Sequence, residues 1–245
     1  MSLTIENKVA LVTGANRGIG KAIVETFIEN GAAKVYLAVR DTNSTKELEE
    51  RYGDKVVTVK ADLADKDTLY QLPKVAGDVD VLVNNAGVGK PCPTLGDSFA
   101  DVLETTLQVN VYGLLHLAEA YADILAEKKG ALVQLNSIAS LKNFPHLSLY
   151  SASKAASYSL TQGLRSEFAD RGISVLSVHP GPIDTDLADE AGFENAPPPS
   201  VVAEGIVKSL AAGDFHLFPD EMAQQFEAAY QPFRDQVVMA EPSED

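Results

Sequence analysis

Seven short apolar runs, none of which alternates polar with apolar residues, constrain what this chain can fold into more than any other feature. They are KVALVT (8–13), KVYLAV (34–39), KVVTV (55–59), DVDVLVN (78–84), ALVQLN (131–136), ISVLSV (173–178) and FHLF (215–218). A strand with one wet face alternates; strands like these are expected to be covered on both faces. The stretches between them read as helices over 18–30, 44–52, 65–72, 98–127, 150–170 and 201–212. Strand then helix, repeated, predicts right-handed crossovers and an α/β fold, a parallel sheet with helices on both faces. No internal repeat, charge run or long linker interrupts the series, so residues 1–245 are expected to form one domain. NAPPPS at 195–200 reads as a loop leading into a helix at Ser200, and AEPSED at 240–245 as a frayed acidic tail.

Charge narrows the partners. Twenty Lys and Arg stand against thirty-five Asp and Glu, a formal net charge of −15. Such a field repels nucleic acid and anionic membrane surfaces at long range, and neither is expected as a partner. A small anion is still admissible, because local arginines and helix N-termini outweigh a distant, screened field. Cys92, the only cysteine, has no intramolecular disulfide partner and reads as a surface-loop or pocket-lining residue between Pro91 and Pro93. The N-terminus has no basic segment leading into a long apolar core, and no apolar run approaches the roughly 20 residues of a membrane helix. A cytoplasmic location is expected.

Directly after the first run comes TGANRGIG, with Gly14, Gly18 and Gly20, opening the first helix. Glycines there let the chain turn sharply and let a pyrophosphate approach the main chain, while the free N–H groups of the helix start face the phosphates. The spacing is G-x-x-x-G-x-G rather than G-x-G-x-x-G, and its place between strand and helix is what points to a dinucleotide site rather than a structural turn with no ligand. An acid at the end of the second strand would bind a free ribose 2′-hydroxyl, an arginine a 2′-phosphate. Here the strand ends Ala38-Val39-Arg40-Asp41, with Val39 where the acid is expected. Arg40 follows, and Arg17 in the turn supplies a second guanidinium. The expectation is NADP(H) over NAD(H), with Asp41 the residue that would reverse it if it faced the ribose.

Tyr150 and Lys154 in YSASK are four residues apart, hence on one helix face. A free phenol titrates near 10, and a neighbouring ammonium favours the phenolate, which makes the pair a usable acid/base. Ser137 follows the run ALVQLN and NNAG at 84–87 closes the fourth run, both at strand C-termini, where open α/β sheets bind ligands. In TGANRGIG, NNAG, Asn110 of NVYG, Ser137, YSASK and PGPIDT at 180–185 the chain resembles the short-chain dehydrogenase/reductase family over essentially its whole length. Within it, VYLAVRD and the arginine in the glycine turn are similar to NADP-dependent carbonyl reductases.

The resemblance implies a three-layer Rossmann-type fold around a parallel sheet of about seven strands. It also implies roles. Tyr150 would protonate the carbonyl oxygen as hydride arrives, Ser137 would hold that oxygen, and Lys154 would lower the Tyr150 pKa and bind the nicotinamide ribose. Asn110 would position a water joining Lys154 to solvent; the other reading of Asn110 is a helix amide bonded to local backbone. Around the cofactor it implies Gly14, Asn16, Arg17, Gly18, Ile19, Gly20 and Arg40; Asp62 and Leu63 at the adenine; Asn85, with Ala86 and Gly87, bordering the adenosine ribose; and Pro180, Gly181, Ile183 and Thr185 at the carboxamide. Only 22 residues separate Asp62 from Asn84, so the helix between the third and fourth strands should be short. The four His, at 116, 146, 179 and 216, show no ligand spacing, and no metal is expected; His179 reads as a strand-end residue beside the cofactor loop.

Substrate selectivity is expected from Ile138, Phe144, His146, Leu147, Leu187 and Phe193, a mostly apolar set suited to an aldehyde or ketone with an apolar substituent. Two alternatives remain beside a carbonyl reductase. One is a reductase of 3-oxoacyl groups on acyl carrier protein, which needs a basic docking face that a net charge of −15 makes harder to build. The other is a non-catalytic NADP-binding redox sensor. A homodimer or homotetramer is implied by resemblance alone.

Overall fold

In a computed structural model of the chain, which describes residues 2–96, 98–190 and 192–240, all seven runs become strands of one parallel sheet. The strands are β1 Val9–Thr13, β2 Lys34–Val39, β3 Val56–Lys60, β4 Val81–Asn84, β5 Ala131–Leu135, β6 Ser174–Val178 and β7 His216–Leu217. Their order is β3-β2-β1-β4-β5-β6-β7. The chain winds outward from β1 to β3, then returns to the other side of β1 with β4, so the switch point lies between β1 and β4. Residues 241–245 of the expected acidic tail lie outside the described residues.

The side chains of each inner strand divide between two cores. Ala10 and Val12 of β1 and Val35, Leu37 and Val39 of β2 pack on one face, while Leu11, Tyr36 and Ala38 pack on the other. The first face is covered by α1 (Gly18–Glu29) and α8 (Ser200–Ala212), through Ile23, Phe27, Ile206 and Leu210. The second is covered by α3 (Lys66–Val75), α5 (Gly113–Lys128) and α6 (Ser148–Ala169), through Leu69, Leu117, Leu125 and Phe168. This two-sided burial is why the runs are continuous. The edge strand β3 departs from this: Val57 on one face and Lys60 on the other are exposed.

Two expectations need correction. The helix expected over 98–127 is α4 (Phe99–Leu107), a π turn over Gln108–Tyr112, and then α5. The last strand keeps only two of its four expected residues. The helix expected over 44–52 is α2 (Lys46–Tyr52), behind a short turn, and two helices were not foreseen, α7 (Asp186–Glu190) and α9 (Glu221–Phe233). Among the described residues no helix is long and apolar enough to cross a membrane.

Candidate active site

The glycine turn, the ends of β2 and β3 and the segment after β4 enclose a cleft of ≈ 620 Å³. Gly14 and Gly18 have φ of 65° and 51°, left-handed values that favour glycine, and α1 begins at Gly18. Thr13 ties the turn to the neighbouring strand: its hydroxyl accepts from the backbone N–H groups of Asn85 and Ala86, each at 2.9 Å. The Asn85 amide donates to the Thr13 carbonyl at 2.8 Å. Gly14, Asn16, Arg17, Gly18, Ile19, Gly20, Arg40, Asp62, Leu63, Asn85, Ala86 and Gly87 all line this cleft. Asp41, Ser44, Val88, Val109 and Asp186 line it as well.

At the lip, the two arginines differ. Arg17 forms an ion pair with Asp186 of α7. Arg40 is exposed, while Val39 is buried beneath it. Asp41 accepts at Oδ1 from the backbone N–H of Asn43 at 2.9 Å, which caps the turn that follows β2.

A second cavity, of ≈ 170 Å³, shares Ile19, Asn85, Gly87, Thr185 and Leu187 with the first. Ser137, just after β5, and Tyr150 and Lys154, on the first and second turns of α6, line it, together with Pro180, Gly181 and Ile183. Lys154 is 4 % exposed, and its ammonium donates to the Leu135 carbonyl at 2.6 Å. Burial pulls its pKa down to about 8. Burial pushes the Tyr150 phenol up to about 12, against a smaller downward pull from its hydrogen bond with Ser137. The expected lowering of Tyr150 by Lys154 is therefore not what this site shows. The ammonium lies 5.7 Å from the ring centroid and is committed to Leu135, so loss of solvent dominates and the phenol holds its proton.

Asn110 sits in the π turn, buried. Its Oδ1 accepts from the Val88 N–H at 2.9 Å, and its Nδ2 donates to the Val88 carbonyl at 2.8 Å and to Ser153 at 3.0 Å. The amide thus bonds backbone, but of a distant segment: it pins the loop after β4 to α6. Gly87 beside it is the close approach this requires, since a Cβ there would lie 3.1 Å from Asn110 Oδ1 and 3.5 Å from Lys154 Nζ.

Of the six substrate candidates, Ile138, Phe144, Leu147, Leu187 and Phe193 line the smaller cavity. His146 does not; it is exposed, and its carbonyl accepts from the Cys92 N–H at 3.2 Å. Sequence reasoning missed Ala139, Pro182, Ala188 and Met222 on the same wall. For Met222 a signal existed: Asp220 ahead of apolar residues at 222, 223, 226, 230 and 233 is a capped amphipathic helix.

Behind Ser137, His179 is fully buried at the end of β6. The Asn136 amide donates to Ser177 at 2.9 Å, Ser177 lies 2.7 Å from His179 Nε2, and Ser140 lies 3.0 Å from Nδ1 and donates to the Ser137 carbonyl. Burial holds the His179 pKa down at about 3, from 6.5, and the same cause lowers His216. A base whose folded pKa is depressed binds fewer protons folded than unfolded, so stability falls as pH drops below 6.5 towards 3, by roughly 1.4 kcal/mol per unit for each such group. Acid unfolding followed by circular dichroism should show this slope, and His179→Gln should flatten it. An unchanged slope would assign the titration to other groups.

Comparison with known proteins places this architecture. A family model described as short chain dehydrogenase matches residues 8–195. An uncharacterised oxidoreductase of Staphylococcus saprophyticus is 34% identical over 218 residues, covering 84% of this chain and 92% of that one. A short chain dehydrogenase of Burkholderia cenocepacia, solved in complex with NADP, superposes with a TM-score of 0.87 at 29% identity, covering 98% of this chain and 100% of that one. A short chain dehydrogenase/reductase of Burkholderia phymatum, solved with NAD, shares the fold with a TM-score of 0.81 at 24% identity, covering 98% and 99% of the two chains.

Proposed function

Because this chain belongs to the short-chain dehydrogenase family, we propose that it is an NADP(H)-dependent oxidoreductase acting on the carbonyl or alcohol carbon of a small, largely apolar aldehyde or ketone. The observation that carries this reading is the meeting of Ser137, Tyr150 and Lys154 on one cavity wall that adjoins the glycine-turn cleft. A dinucleotide fits the cleft: its volume is ≈ 620 Å³, and its turn offers the main-chain approach and helix N-terminus that a pyrophosphate needs. Arg17 and Arg40 would hold the 2′-phosphate, Asp62 and Leu63 the adenine, and Lys154 the nicotinamide ribose. The bound cofactor supplies or accepts the hydride.

The remaining chemistry belongs to the chain. Tyr150, with its pKa pushed up to about 12, carries its proton at neutral pH and is a donor to a carbonyl oxygen. Ser137 donates a hydrogen bond to that oxygen, which strengthens as charge accumulates on it. Lys154, with a pKa near 8, is mostly an ammonium at neutral pH and adds positive charge beside the forming phenolate. Ile138, Phe144, Leu147, Leu187 and Phe193 give the cavity its apolar wall, which favours an apolar substituent and excludes water.

Relatives of this fold hold either nicotinamide cofactor, so the preference rests on the arginines. Arg17 meets a carboxylate for which a phosphate would have to compete, whereas Arg40 is exposed at the lip. In a comparison of NADPH with NADH on one reducible carbonyl, Arg40→Ala should lower kcat/KM for NADPH by about tenfold to a hundredfold, the worth of one charged hydrogen bond. The value for NADH should hold. An unchanged preference would move the phosphate away from Arg40, and no NADPH oxidation across a panel of aldehydes and ketones would defeat the reading as a whole.

A further inference from the structure

Helix α9 stands outside the strand–helix alternation, yet it reaches the cavity that holds Ser137 and Tyr150. Two sets of contacts bring it there. Ala223, Phe226 and Tyr230 of α9 pack with Ile138, Leu141, Phe144 and Phe218 in a small separate core, and the Phe144 and Phe226 rings stack at 6.4 Å. At its start, the Asp220 carboxylate is 5 % exposed and accepts two backbone N–H groups, Ala223 at 3.0 Å through Oδ1 and Gly181 at 2.7 Å through Oδ2. One oxygen therefore caps the helix and the other binds the loop that floors the cavity. The fit is tight, because a Cβ on Gly181 would stand 2.6 Å from Asp220 Oδ1 and 3.3 Å from Met222 Cβ.

We propose that Asp220 is a positioning residue that clamps the start of α9 to Gly181, and that Met222, held there against the catalytic cavity, sets the size of carbonyl substituent the site admits. This rests on the functional reading above. A thioether is a flexible, polarisable wall, so it limits bulk without demanding one shape. Removing it enlarges the cavity that Phe144 and Leu187 also line.

The test compares Met222→Ala, Asp220→Ser and wild type with NADPH and two ketones, butanone and acetophenone. Met222→Ala should shift the ratio of kcat/KM values towards acetophenone by about tenfold, a typical yield of added space in an apolar pocket. Asp220→Ser keeps a cap for the Ala223 N–H but is too short to reach Gly181, so the chain should stay folded with its melting temperature lowered by only a few degrees as the Gly181 bond is lost, while its selectivity moves in the same direction. A ratio unchanged in Met222→Ala, or an Asp220→Ser chain that loses stability without changing selectivity, overturns the proposal. A second readout needs no turnover. The chain has no tryptophan, so Met222→Trp introduces a single indole, and adding Asp220→Ser should raise its quenching by acrylamide as the helix start is released. Should wild type reduce neither ketone nor any other member of the aldehyde and ketone panel, the functional reading fails on its own, and equal quenching with and without Asp220→Ser would overturn the clamp separately.

Discussion

Tyr150→Phe is expected to reduce kcat by roughly a hundredfold to ten-thousandfold, the usual contribution of a positioned proton donor, while NADPH binding is retained. The substitution deletes one hydroxyl and keeps the ring, which is already fixed in place: a Cβ on Gly89 would lie 2.7 Å from Tyr150 Cδ2, so the loop after β4 lies directly against it. Packing is therefore preserved, and Lys154 keeps its bond to Leu135. What is lost is the proton, and the Ser137 hydroxyl cannot replace it, since a bound carbonyl oxygen needs a proton and not only a hydrogen bond. Cofactor affinity measured by the fluorescence of NADPH separates the two effects. Turnover within about tenfold of wild type would show that Tyr150 is not the donor.

Much of this site was readable because its chemistry is local in sequence. The glycine turn, NNAG and YSASK each carry their function within a few residues, and each lies where a buried strand ends, which the continuous apolar runs had already marked. The signs of pKa shifts were not readable. Spacing brings Lys154 under Tyr150, and from that a lowered phenol follows; only the folded chain reveals that Lys154 is 4 % exposed and bound to the Leu135 carbonyl. Burial raises a phenol and lowers an ammonium together, so Tyr150 keeps its proton while Lys154, at about 8, stays mostly charged at neutral pH.

The π turn was hidden for a different reason. Over Gln108–Tyr112 no glycine or proline interrupts the helical pattern, and one extra residue per turn leaves no mark in an apolar period. Its consequence is large, since Asn110 bonds Val88 in the loop after β4 from within that turn. Asp186 escaped notice because its partner, Arg17, is remote in sequence; around Met222 the local pattern marks a capped helix but not its meeting with Gly181.

Gly20→Ala should cost the protein its cofactor site, in contrast to the same change elsewhere. A Cβ on Gly20 would lie 2.1 Å from the Gly14 carbonyl oxygen, 2.8 Å from its carbon and 2.7 Å from Asn85 Nδ2. None of these atoms is the free end of a flexible side chain. Gly14 is held by its N–H bond to the Ala38 carbonyl at 2.9 Å, and Asn85 by its bond to the Thr13 carbonyl at 2.8 Å. Relief must come from moving α1 away from the turn, which withdraws the helix N-terminus from the phosphates. Overpacking of this kind costs about 1–3 kcal/mol, and the same displacement should weaken NADPH binding by about tenfold to a hundredfold. Gly163, in the middle of α6, meets nothing within 4 Å of a Cβ. There alanine should stabilise by roughly 0.5–1 kcal/mol through helix propensity and leave NADPH binding alone. Thermal melting and NADPH titration of the two variants measure both differences. If Gly20→Ala bound NADPH as tightly as Gly163→Ala, the close approach of α1 to the glycine turn would not be what forms the phosphate site.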